Sequence, residues 1–146
     1  MIKYPPDCVN EAQKLSFLYS LQEKLRVWHN TQCSGKTAEF ARQFRDQQFY
    51  PKMRSLSLEI GNNIETASAA KYWAVNGTNI SAGTVVYPKT LNQTNEGSKL
   101  SFLYALAEYQ RKQRKQADDA VEDEIGLVIK DAQKGSYWSP TVADAK

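Results

Sequence analysis

Asn10-Glu11-Ala12-Gln13-Lys14-Leu15-Ser16-Phe17-Leu18-Tyr19-Ser20-Leu21-Gln22-Glu23 returns later in the chain as Asn95-Glu96-Gly97-Ser98-Lys99-Leu100-Ser101-Phe102-Leu103-Tyr104-Ala105-Leu106-Ala107-Glu108. The hexamer Lys-Leu-Ser-Phe-Leu-Tyr is identical at 14–19 and 99–104. A Tyr-Pro pair precedes each copy, Tyr4-Pro5 and Tyr87-Pro88, with two extra residues in the second connector. Ungapped identity of this length reads as an internal duplication, about 4–26 and 87–111. Self-similarity of this kind bears on architecture and valency before it bears on chemistry.

The repeated stretch has the marks of a helix. Asn10 is a good N-cap and Gln13 follows at capping-box spacing, so a helix is expected from about 11 to 29. At 100° per residue, Leu15, Phe17, Leu18, Tyr19 and Leu21 spread over more than half of its circumference. Only a strip with Ser16, Ser20 and Glu23 stays polar. Such a helix needs cover on most sides, within its own domain or from another subunit. Asn95 or Ser98 caps the second copy.

Outward from these two segments the pattern is less regular. A loop is expected over 31–35, then a helix over about 36–49 capped by Ser34 or Thr37 and ended by Pro51. Met53, Leu56, Ile60, Ile64 and Ala67 fit a helix, whereas Leu56, Leu58 and Ile60 alternate like a strand; the longer pattern favours helix. Tyr72-Trp73-Ala74-Val75, Asn76-Gly77 and Thr84-Val85-Val86-Tyr87 read as a small β-hairpin or arm near 72–87, with Asn-Gly as the turn and Ala82-Gly83 as a second bend. After the second repeat, Gln110 to Gln116 is almost wholly polar, and Ala117, Val121, Ile125, Val128 and Ala132 restore an apolar face. One long helix or two with a break near 112–116 both fit, and Gly135 is expected to stop it. The fold class is mainly α: a helical bundle with an internal repeat over 1–135, followed by an extended C-terminal tail, 136–146.

Composition sets the outer limits. Over 146 residues, 41% are apolar and 11% aromatic, which is enough for a core and argues against disorder. The net charge of +3 is mildly basic, far from that of a dedicated nucleic-acid binder. No stretch approaches the roughly 18 apolar residues of a membrane span, and the opening residues lack the apolar core of a signal peptide. The expectation is a cytoplasmic protein or one enclosed in an assembled particle, with Cys8 and Cys33 as free thiols. Asn76-Gly77-Thr78, Asn79-Ile80-Ser81 and Asn92-Gln93-Thr94 match a glycosylation triplet but are read as turn chemistry.

Candidate sites are sparse. Ser34-Gly35-Lys36-Thr37 resembles the end of a phosphate-binding loop, but Asn30 stands where that loop needs glycine, and a helix rather than a strand feeds it. His29 and Cys33 share a helical spacing without an orienting group or oxyanion site. Asp118, Asp119, Glu122, Asp123 and Glu124 can pair helically with the basic residues upstream, as Arg114–Asp118 and Lys115–Asp119, and read as a solvated face. No catalytic set, metal set or cofactor loop emerges.

By elimination the sequence points to a non-enzymatic assembly subunit of a homo-oligomer, a viral neck, connector or capsid-associated component being one candidate. Tyr4, Phe17, Tyr19, Tyr87, Phe102, Tyr104, Tyr137 and Trp138 are the expected protein contacts, made with copies of itself and other assembly subunits. The alternative is a nucleic-acid-binding accessory protein using Arg111, Lys112, Arg114 and Lys115.

Overall fold

Asn10 turns the extended entry segment into helix. Its side chain accepts the Gln13 amide at 2.9 Å, and Gln13 Oε1 reaches back to the amides of Val9 and Asn10, a reciprocal cap. The computed structural model describes residues 1–69, 72–92, 95–114, 118–135 and 137–146. Helix α1 runs Glu11–Cys33, past the expected end near 29. Gly35, at φ +70°, then takes a left-handed conformation that closes the turn.

Thr37 caps α2, Ala38–Phe44, by accepting the Phe40 amide at 3.1 Å. The expected stop at Pro51 does not occur. The chain widens into a π segment, Arg45–Phe49, and passes without a break into α3, Tyr50–Ser68. Pro51 is the second residue of α3, directly after the π segment, and the helix runs through it rather than ending there. Residues 53–67, which fit two patterns, are helical.

The β region is smaller than expected and turns elsewhere. Strand β1, Ile80–Ser81, pairs antiparallel with β2, Thr84–Val85, through a turn at Ala82-Gly83. Asn76 does not form the hairpin turn. Its side chain accepts the Thr78 amide at 2.9 Å, and Asn79 Oδ1 accepts the Asn76 amide at 2.9 Å, which closes a single 3-10 turn, Gly77–Asn79. Asparagine's own hydrogen bonding has overridden the hairpin signal. Tyr72 to Val75 is irregular rather than strand.

Helix α4 spans Glu96–Arg114, with Asn95 accepting the Ser98 amide at 3.1 Å. Helix α5 spans Asp119–Gln133, with Asp118 accepting the Ala120 amide at 3.1 Å. The chain thus forms two helices here, and α4 takes in Gln110 to Arg114 of the polar stretch. Residues 115–117 and the Arg114 side chain lie outside the described residues, and with them the expected Arg114–Asp118 and Lys115–Asp119 pairs. Gly135, at φ +69°, stops α5 as expected.

Helices α1 and α4 lie at the centre, with α3 and α5 packed against both. That placement explains the wide apolar faces of the repeated segments: Leu15, Leu18 and Leu21 of α1, and Leu100, Leu103 and Leu106 of α4, are each at most 1% exposed. Leu56 of α3 and Val121 of α5 close the same core. The end of the C-terminal segment packs on the chain's own body. Ala145 is buried and bridges Ile2, and Asp144 O accepts the Lys3 amide at 2.8 Å. Among the described residues, no helix is long and apolar enough to cross a membrane.

Candidate functional site

The repeated residues meet one another. Tyr19 and Tyr104, the last residues of the identical hexamers, share a hydrogen bond between their hydroxyls at 2.7 Å. Ser16 Oγ donates to Glu96 Oε1 at 3.0 Å, and Ser101 Oγ donates to Glu11 Oε1 at 3.4 Å. Each copy thus supplies the hydroxyl for one bond and the carboxylate for the other. Glu11 and Glu96 are buried, but each sits in the first turn of its helix, where the amide dipoles favour a negative charge. Burial pushes both tyrosine phenols above their ordinary range. Near this crossing, Gly97 lies so close to α1 that a Cβ would stand 2.5 Å from the Ala12 carbonyl oxygen.

The flanks of the seam correspond in the same way. Tyr4 donates to Glu59 of α3 at 2.5 Å, and Tyr87 donates to Glu124 of α5 at 2.5 Å. Burial first, and then the neighbouring carboxylate, raise both phenols well above the usual tyrosine value. Lys14 Nζ lies 5.2 Å from the Tyr4 ring centre, and Lys99 Nζ lies 5.5 Å from that of Tyr87. The Trp138 ring meets Phe17 edge-on at 6.0 Å, and the Trp73 ring meets Phe102 edge-on at 6.4 Å. Among the described residues, every buried side-chain nitrogen or oxygen has a hydrogen-bond partner.

Of the expected protein contacts, Phe17, Tyr19, Phe102 and Tyr104 are buried inside this one chain, Tyr4, Tyr87 and Trp138 are half-buried, and Tyr137 is 52% exposed. The cover that the wide apolar faces require comes from the other copy of the repeat and from α3 and α5.

The two segments that carry the repeated stretch differ most in length. From Tyr19 to Glu59 is 40 positions and from Tyr104 to Glu124 is 20, so the first half carries 20 additional residues. These form an arm made of the end of α1, α2 and the π segment, with α2 packed mainly on those two neighbours. It holds an aromatic cluster: Trp28 meets Phe44 edge-on at 4.8 Å, and the His29 ring lies 4.7 Å from Phe49. On the arm Val27 is 47% and Phe40 41% exposed, and Tyr50, the first residue of α3, is 45% exposed.

The remaining candidates have ordinary structural uses. His29 Nδ1 is 3.1 Å from Asn30 Oδ1, and Thr37 is the α2 cap. Cys8 is buried, which pushes its thiol up to about 11, a value at which little thiolate forms near neutrality. Asn76 and Asn79 are engaged in turn hydrogen bonds. Arg111 and Lys112 are exposed at the end of α4, but Arg111 lies 3.6 Å from Glu122 of the acidic α5, so the local field is partly cancelled. Among the described residues, no group of three or more His, Cys, Asp or Glu gathers as metal ligands would.

Sequence reasoning missed Trp73, Glu59, Glu11 and Glu96, and it read Glu124 as part of a solvated face rather than as the partner of Tyr87. A signal for the first was present: Tyr72-Trp73 recurs as Tyr137-Trp138, each pair just beyond the end of a helix. Comparison with protein-family models, with curated proteins and with solved structures returned no match.

Proposed function

We propose that this chain is a non-enzymatic assembly subunit that associates with further copies of itself, and that its docking element is the arm. The body is an internal duplication: two units, each an entry tyrosine, a central helix, an outer helix and a Trp-bearing exit segment, related by a local two-fold axis through the Tyr19–Tyr104 bond. The matched contacts across the seam support this reading. A duplicated body that satisfies its own buried groups is a rigid platform and leaves the repeated aromatics unavailable for docking.

The observation that carries the functional part is the arm. It belongs to one half only, it exposes Val27 and Phe40, and it includes a π segment, a geometry that recurs at functional sites. Apolar side chains left exposed on an element that packs mainly on its own neighbours suit contact with a partner more than chemistry. Components of viral particles, among them neck, connector and capsid-associated proteins, fall within this class.

Light scattering across a concentration series tests the proposal. The native chain is expected to gain mass with concentration, and a Val27→Glu/Phe40→Glu variant to remain a monomer with an unchanged melting transition. A native chain that stays monomeric at high micromolar concentration would overturn the reading, as would association that survives in the variant.

A further inference from the structure

The turn that joins the two halves is strained. Ala82 sits at φ 50°, the one positive value held by a residue other than glycine among the described residues, and Gly83 follows at φ 75°. Two consecutive positive values make the tight hairpin turn that Asn-Gly forms readily and that alanine resists, because its Cβ crowds the following carbonyl. Short connections under strain invite exchange between chains. On either side of this turn nothing else needs to change when chains exchange. The seam bonds Ser16–Glu96, Ser101–Glu11 and Tyr19–Tyr104, the β1–β2 pairing and the Ile2–Ala145 bridge all run between one half and the other. Each can therefore be made with the opposite half of a second chain.

We infer that a second copy of this chain can occupy the α1–α4 seam, through a half-exchanged dimer in which residues 81–84 open from a turn into a continuous extended linker. Opening releases the strain at Ala82 twice per dimer and loses no seam contact. Gly97 gives the exchange a direction. A first half pairing with another first half would bring Ala12 to the position of Gly97, where a methyl stands 2.5 Å from the facing Ala12 carbonyl oxygen. Exchange is thereby held to unlike halves, which leaves the dimer closed and two-fold symmetric.

This inference is independent of the arm. Exchange requires the halves to separate, so the dimer forms slowly, for instance on refolding from denaturant at high protein concentration, and persists on dilution. An arm-to-surface contact forms and dissolves on dilution without unfolding.

The test compares the native chain with Ala82→Asn and with a chain lacking Ala82 and Gly83, each refolded at high concentration and sized by light scattering. The native chain is expected to give a persistent dimer. Ala82→Asn, which suits the turn, should lower the dimer constant by about tenfold or more. The shortened chain cannot close its hairpin and should be wholly dimeric with unchanged helical circular dichroism. Equal dimer fractions in the native chain and Ala82→Asn would overturn the inference, as would a shortened chain that folds as a monomer. If the shortened chain fails to fold, the comparison with Ala82→Asn still decides.

Discussion

Replacing Gly97 by alanine should destabilise this protein although the same change elsewhere in its helices should stabilise it. Glycine in a helix ordinarily costs about 0.5–1 kcal/mol relative to alanine, through the freedom it has in the unfolded chain. Gly61 in α3 and Gly126 in α5 are exposed helical positions where an added Cβ meets nothing within 4 Å. Both Gly61→Ala and Gly126→Ala should therefore raise stability by about 0.5–1 kcal/mol. At Gly97 the added methyl would lie 2.5 Å from the Ala12 carbonyl oxygen and 3.0 Å from its carbon. These are backbone atoms of a central helix and cannot rotate aside. Overpacking of this kind costs about 1–3 kcal/mol, which outweighs the propensity gain, itself small in the first turn. The net expectation is a loss of about 1–2 kcal/mol, read from urea midpoints at a common slope. Gly97→Ala as stable as the native chain, or more so, would refute the close helix crossing on which this reasoning rests.

Further outcomes follow from the same contacts. Tyr4, Tyr19, Tyr87 and Tyr104 all have phenols raised by burial. Below about pH 10 both states are protonated and the groups contribute their full stability; above it the unfolded chain loses protons the folded chain retains, so stability falls as pH rises. Spectrophotometric titration should accordingly show these four of the eight tyrosines ionising together with unfolding rather than before it. Trp73→Ala and Trp138→Ala remove corresponding edge-on contacts from Phe102 and Phe17. Being half-buried, each should cost about 1–3 kcal/mol, less than the full penalty of a core tryptophan, and the two losses should agree within about 1 kcal/mol in calorimetry.

Much of the architecture was legible because it is local. The Asn-x-x-Gln cap of α1, the Asn95 cap of α4, the stop at Gly135 and the helical reading of 53–67 depend on neighbours in sequence. The width of the apolar faces on the repeated helices correctly announced that they need cover on nearly every side. It did not say who supplies the cover, because burial is set by the assembled fold: the neighbour here is the other repeated helix, with α3 and α5 packed against both. Pro51 misled because a helix can pass a proline where its backbone widens, and the π segment just before it has no simple pattern in sequence. Asn76-Gly77 misled because the asparagine side chain has two outlets, and here it closes its own turn. The tail 136–146 lacks periodicity because two side chains anchor it, Trp138 on Phe17 and Ala145 against Ile2. The exposed side of the arm was the least readable, since a docking face and a core face share the same residue types.

The pairing of the two repeats within one chain is tested most directly by a double-mutant cycle on Tyr19 and Tyr104 in dilute, monomeric protein. Each single change to phenylalanine leaves the opposite buried hydroxyl without its 2.7 Å partner and should cost about 1–3 kcal/mol, whereas the double change removes both groups together. The account predicts a double variant less destabilised than the sum of the singles by about 1–2 kcal/mol. Strict additivity would contradict it.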